Sequence, residues 1–292
     1  MTPTTLTIGS GLGGIAILNT KTVNRDRLYY AADAVRCAQF VPSQPARTTV
    51  LRDCMKDVAD SLYGRIRRQP NVVRQLDDPA SFEVVRVVPG QSQNEYRFLF
   101  SALIDTNWGV GILEYDSAGP RGSQVLASLD PAVVQQRDYL PSSVVGQVVV
   151  KMLRHWKATP LKDDGGVWFM LGQTLEDFRT FSSLLLGPHA DGPRFTVHQV
   201  EIASDPDTVM HVLDRLGSEV QAGLAEIMTD VMEATGGMAD RSINVRINRA
   251  DRFLEKVRLY EQVLGRPLPE LTAAIDQVKQ AVAVNRLLAA AV

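Results

Sequence analysis

Phe82-Glu83-Val84-Val85-Arg86-Val87-Val88, Tyr96-Arg97-Phe98-Leu99-Phe100-Ser101-Ala102-Leu103 and Val110-Gly111-Ile112-Leu113-Glu114-Tyr115 follow one another in quick succession. Each run is rich in β-branched and aromatic residues, which suit the pleated, half-buried surface of a sheet. The connections Pro89-Gly90-Gln91-Ser92 and Asp105-Thr106-Asn107-Trp108-Gly109 are short and made of turn formers. Parallel pairing needs a crossover of about a dozen residues or more, so the spacing predicts a small antiparallel meander.

Helical patterns flank it. Residues 24–39 and 48–69 read as helices, the second with Val50, Leu51, Met55, Val58, Leu62 and Ile66 at helical spacing and Pro70 as its stop. On the other side helical character resumes after Pro131, and a helix over 141–157 sets Val144, Val145, Val148, Val149, Met152, Leu153 and Trp156 on its apolar side. Two short extended runs around Asp163-Asp164-Gly165-Gly166 then predict a hairpin, so 131–171 has the helix, helix, hairpin order of a winged-helix module. Thr174 and Asp177 read as a capping pair for the next helix. Over 194–202 the apolar positions change phase, which predicts a strand with a bulge or with both faces buried.

The last third changes character. Ser204 and Asp207 form a second capping pair, and Val209, Leu213, Leu216, Val220, Leu224, Ile227 and Val231 step in threes and fours, a rhythm continued by Ile243, Ile247, Ala250, Leu254, Val257 and Leu264 and then by Leu271, Ile275, Val278 and Val282. This predicts a helical bundle or antiparallel coiled coil long enough to project from the body, with Leu213, Leu216, Val220, Ile227, Leu254, Val257, Leu264, Leu271 and Ile275 as its candidate core or oligomerisation seam. The expected class is therefore α+β: a flexible N-terminal arm over 1–20, a body over 21–203, and a helical tail over 204–292.

Composition narrows the functional classes. The chain has 292 residues, 45% hydrophobic and 22% charged, with 31 Lys and Arg against 33 Asp and Glu. A formal charge of −2 supplies no strong global field for nucleic acid or anionic lipid. No apolar run is long enough to span a membrane and no basic-then-apolar leader opens the chain, which predicts a cytoplasmic protein without a membrane partner. Cys37 and Cys54 make no disulfide framework, and the four histidines lack partners at metal-ligand spacing. No cofactor or metal is expected.

Three charged or glycine-rich stretches remain as candidate sites. Gly9, Gly11 and Gly14 match the spacing of a dinucleotide-binding loop, but β-branched and turn residues follow where that loop needs a helix. Lys151, Arg154, Lys157 and Lys162 lie on or beside the second helix and hairpin of the winged-helix-like unit with no acid among them, a candidate nucleic-acid surface. Residues 241–258 carry a net +4 and residues 205–240 a net −7, which predicts two antiparallel helices that supply each other's counter-charges. A fourth group, Arg65, Arg67, Arg68 and Arg74, reads as cations complementing the dipole at the end of the second helix.

Gly165-Gly166-Val167-Trp168-Phe169 and Tyr260-Glu261-Gln262-Val263-Leu264-Gly265-Arg266-Pro267-Leu268-Pro269-Glu270-Leu271 add a further signal. With them the chain resembles an uncharacterised domain family of phage and bacterial genomes, marked by a GG-[VI]-[YW]-F hairpin and a long helical C-terminus. The resemblance implies the architecture above and carries no chemistry. The expected function is a non-enzymatic binding or assembly protein, of phage or mobile-element origin, that self-associates or docks on another protein through its tail. The alternatives are a nucleic-acid-binding protein using the basic unit, and an enzyme whose site is assembled from distant segments.

Overall fold

The computed structural model describes residues 13–90, 93–162, 166–186, 194–200, 206–233 and 240–290. The chain opens with strands β1 (Gly13–Asn19) and β2 (Val23–Asn24) and helices α1 (Arg25–Asp33) and α2 (Arg47–Leu62). Strands β3 (Asn71–Gln75), β4 (Ser81–Pro89), β5 (Asn94–Ile104) and β6 (Val110–Tyr115) come next, then α3 (Gly122–Asp138), β7 (Tyr139–Leu140) and α4 (Ser142–His155). The rest is β8 (Thr159–Pro160), β9 (Val167–Leu171), α5 (Gly172–Leu186), β10 (Arg194–Val200), α6 (Pro206–Glu233), α7 (Asp240–Leu264) and α8 (Pro269–Ala290). The fold is α+β, and its parts fall into two compact units.

One unit, residues 22–29 and 41–141, holds the meander. β3 to β6 pair antiparallel in sequence order, with register shifts at Val84/Val85 and Ser101/Ala102. Val50, Leu51, Met55 and Val58 of α2 and Val125, Leu129 and Val133 of α3 cover one face, against Val84, Phe100, Ala102 and Ile104. The sheet has one strand more than the three expected: β3 follows Pro70 directly, and only Val73 of its short run packs on the core. α2 ends at Leu62, short of the expected 69. Arg86 on β4 donates to the carbonyls of Tyr63 and Gly64 at 2.7 and 2.8 Å, and Gly64 is left-handed, which together stop the helix. α3 begins at Gly122, before the expected start, and carries Pro131 within it. There Pro131 lacks the N–H of one helix bond while Val125, Leu129 and Val133 keep one buried face.

The other unit comprises residues 13–21, 30–40 and 142–290 of the described chain. Its sheet has the order β10-β1-β9-β8, so residues 13–19, expected within a flexible arm, are an interior strand. Gly13 has a packing reason: a Cβ there would stand 2.5 Å from the Met170 carbonyl and 2.6 Å from the Phe169 ring. No helix follows Gly14, and residues 9–12 of the glycine cluster lie outside the described residues. β10 pairs with β1 in unbroken register from Val200 to Arg194, with no bulge; residues 201–202 are outside the described ones. α5 starts at Gly172, so Thr174 sits inside its first turn and donates to the Trp156 carbonyl at 3.4 Å instead of capping. Ser204 and the Asp163-Asp164 turn lie outside the described residues.

The three C-terminal helices run up, down and up. Asp230 and Glu219 of α6 bond Arg246 (2.8 Å) and Lys256 (2.7 Å) of α7, and Glu226 pairs with Arg249 between them, so the expected exchange of counter-charges sets an antiparallel register. Lys279 of α8 reaches Asp251 at 2.6 Å. Gly223 lets α6 and α7 approach: its Cβ would fall 2.2 Å from the Phe253 ring. The bundle does not project. Its core is continuous with Phe169 and Leu171 of β9 and with Ile15 of β1.

Candidate functional site

α4 carries the basic surface. Its buried face is Val145, Val148, Val149, Met152 and Leu153, and Ser143, Gln147, Lys151 and Arg154 form an exposed stripe. No acid lies on α4. Two backbone bonds close the helix, Lys157 N–H to Arg154 at 3.1 Å and Ala158 N–H to Leu153 at 2.9 Å, with Lys157 left-handed at φ 59°. Lys151, Arg154 and Lys162 are exposed, and no ion pair involves them among the described residues. Lys157 is different: its ammonium meets Glu255 at 2.9 Å, so it does not belong to a free stripe. The helix, helix, hairpin order is present, but α3 belongs to the meander unit while α4 and the β8/β9 hairpin belong to the other. β9 also pairs with β1, so the hairpin is part of a four-stranded sheet.

Below α4 lies a polar junction that the sequence pattern did not disclose. Three consecutive residues, Lys157, Ala158 and Thr159, are each held by α7. Glu255 takes the Lys157 ammonium, Lys256 Nζ donates to the Ala158 carbonyl at 2.7 Å, and Thr159 Oγ1 donates to Tyr260 Oη at 2.8 Å. The Tyr260 hydroxyl donates in turn to the Lys157 carbonyl at 3.3 Å. Thr159 and Tyr260 are fully buried and Lys256 nearly so. Burial pulls the Lys256 ammonium below its ordinary range, against the opposing pull of Glu219, and burial pushes the Tyr260 phenol well up. These partners are separated by 98 to 103 residues, and no local motif announces a contact of that range.

The tail positions divide by depth. Leu216, Val220, Ile227, Val257 and Ile275 are fully buried and Leu271 nearly so, all in one cluster; Leu213, Leu254 and Leu264 are half-buried. Tyr29 and Tyr30 are both exposed, while Trp168 is buried and Trp156 packs edge-on against Phe178.

In the meander unit a cleft of about 310 Å³ is lined by Thr22, Cys54, Asp57, Gln135, Gln136 and Tyr139, among others. The Cys54 thiol donates to Gln136 Oε1 at 3.0 Å and is pushed up to about 12 by burial and by Asp57 and Asp53, so it stays protonated and a poor nucleophile. No group of three or more His, Cys, Asp or Glu able to hold a metal occurs among the described residues, and no helix there is long and apolar enough to cross a membrane.

Fold and surface together define an α+β protein with a sheet-docked helical bundle and an exposed basic helix. The chain belongs to DUF6744, a family of unknown function, whose model matches residues 17–292. No curated protein and no solved structure matches it.

Proposed function

We propose that the protein is a non-enzymatic, cytoplasmic binding and assembly protein of phage or mobile-element origin, docking on itself or on another protein through the outside of its C-terminal bundle. One observation carries this reading. α6, α7 and α8 are held by their own core and cross-helix ion pairs and are pinned to β8 by Tyr260 and to the residue before it by Lys256, so they offer a preset surface on which Met210, Met232, Val245 and Val284 are exposed. A preset surface reduces the ordering cost of docking. The resemblance of residues 165–169 and 260–271 supports the proposed origin. Light scattering over a wide concentration range tests the self-association arm: the mass rises with concentration, and Met232→Glu with Val245→Glu returns it to the monomer. A monomeric mass throughout, with no partner recovered by the native bundle and lost by that variant, rejects the reading.

A second reading has its own support. The surplus positive charge of α4 faces solvent, whereas Arg246, Arg249 and Lys256 are neutralised by α6. This favours contact of Lys151, Arg154 and Lys162 with duplex DNA. Salt-dependent duplex binding that weakens in Lys151→Glu/Arg154→Glu supports it; duplex affinity unchanged in that variant removes it.

A further inference from the structure

We infer that the turn over residues 64–69, with the solvent face of the meander beside it, is a binding surface for single-stranded nucleic acid. It stands in the meander unit, independent of both readings above. Arg65, Arg67 and Arg68 do not sit where a helix dipole accounts for them: α2 ends at Leu62, and the dipole acts over the last turn only. Ile66 and Gln69 form a bridge, with Gln69 N–H donating to the Ile66 carbonyl at 3.0 Å, so Arg67 and Arg68 are the two corner residues of a tight turn. All three arginines are exposed, and no ion pair involves them among the described residues.

The base of the turn is fixed. Arg86 holds the Tyr63 and Gly64 carbonyls and donates to Asn71 Oδ1 at 3.1 Å, and Asn71 donates to Asp60 Oδ1 at 2.8 Å. The nearest acid before the turn is thereby engaged, and residues 61–76 hold four arginines and no acid. Tyr96 of β5 stands opposite Val87, whose N–H donates to the Pro70 carbonyl at the exit of the turn, so Tyr96 lies two strand spacings, about 10 Å, from it. Tyr96 is 54% exposed, and the Arg74 guanidinium stacks on its ring at 3.8 Å. Arg74 and Tyr96 flank the cross-strand row Val72, Val85 and Phe98, and Val85 is only 4% exposed although it lies outside the core on the helix-covered face.

The chemistry selects the ligand. Guanidinium forks match phosphate oxygens, and an exposed tyrosine on the open face of the sheet offers a stacking surface for unpaired bases. A duplex or an anionic lipid surface would engage the arginines and leave Tyr96 idle.

Fluorescence anisotropy of the full chain with an oligothymidylate of about 20 nucleotides, across a salt series, tests this. Arg67→Glu/Arg68→Glu weakens binding about tenfold or more and lowers the salt slope by about 1.4, roughly 0.7 per lost phosphate contact. Tyr96→Ala weakens it about tenfold with the slope unchanged, because a stacking ring carries no charge. The charge-matched pair Arg52→Glu/Lys56→Glu, on the exposed side of α2, changes affinity by less than about twofold. Circular dichroism and the melting midpoint establish that each variant is folded. Absence of binding by the native chain at low salt, or affinity unchanged in the turn variant, overturns the inference. Equal binding of a duplex or of phosphatidylserine vesicles with Tyr96→Ala without effect also overturns it, in favour of a bare polyanion or membrane surface.

Discussion

Arg36 and Lys157 share an unusual backbone state at helix ends, with φ of 58° and 59°. Both close their helix by the same pair of bonds; for Arg36 these are Arg36 N–H to Asp33 at 2.9 Å and Cys37 N–H to Ala32 at 2.8 Å. A side chain in this conformation costs roughly 1–2 kcal/mol, and glycine avoids that at some loss of chain entropy on folding. Arg36→Gly is therefore expected to raise stability by about 0.5–1 kcal/mol in urea unfolding. Lys157→Gly gains less, because it removes the Glu255 ion pair. Equal gains at both positions would show that this pair contributes nothing. Tyr260→Phe tests the buried junction from the opposite direction. Its loss strands the Thr159 hydroxyl and the Lys157 carbonyl, so a destabilisation of about 1–3 kcal/mol is expected, well above the cost of removing an exposed hydroxyl.

Elements with a strong period were legible in the sequence. The runs over 82–88, 96–103 and 110–115 became β4, β5 and β6, and the threes and fours of the last third became α6, α7 and α8 with the predicted charge exchange. What failed depended on partners far along the chain. β1 hid in a glycine-rich start because Gly13 answers to the ring of Phe169, and α2 was drawn too long because Arg86 ends it from a neighbouring strand. The basic stretch 151–162 was visible, but the pairing of Lys157 with Glu255 was not. The grip of α7 on the 157–159 segment makes a prediction for the two elements together. Glu219→Gln leaves the buried Lys256 ammonium without a counter-charge, held only by neutral partners, the Ala158 carbonyl, the new amide oxygen and the Tyr260 ring, and an uncompensated buried charge costs about 3–5 kcal/mol. The double change Glu219→Leu/Lys256→Met removes both charges and is expected to cost much less than Glu219→Gln alone, as read by thermal and urea unfolding. A double variant at least as unstable as the single one would mean that the ion pair itself, and not relief of a stranded charge, holds the junction.

Across the whole molecule the two cysteines give each unit its own response to alkali. Cys37 lies in the unit of the bundle and Cys54 in that of the meander, and both are buried. Burial, with Asp177 adding, pushes the Cys37 thiol up to about 11; burial, with Asp57 and Asp53 adding, pushes Cys54 up to about 12, both from an ordinary 9.0. Each folded unit thus keeps a neutral thiol where the unfolded chain ionises. The associated stability is complete below pH 9 and is lost as pH rises, over 9–11 for Cys37 and 9–12 for Cys54, because only the unfolded state gains by releasing the proton. At pH 10 the loss is about 1 kcal/mol per cysteine. Urea unfolding at pH 7.5 and at pH 10 is expected to show a lower midpoint at the higher pH, and Cys37→Ala and Cys54→Ala each narrow that difference while lowering the midpoint at pH 7.5 through the small cavity they leave. A difference that stays as wide in both variants would show that neither thiol carries the alkaline loss, because the raised phenols, buried Tyr260 in one unit and half-buried Tyr63 in the other, act with the same sign mainly above pH 10.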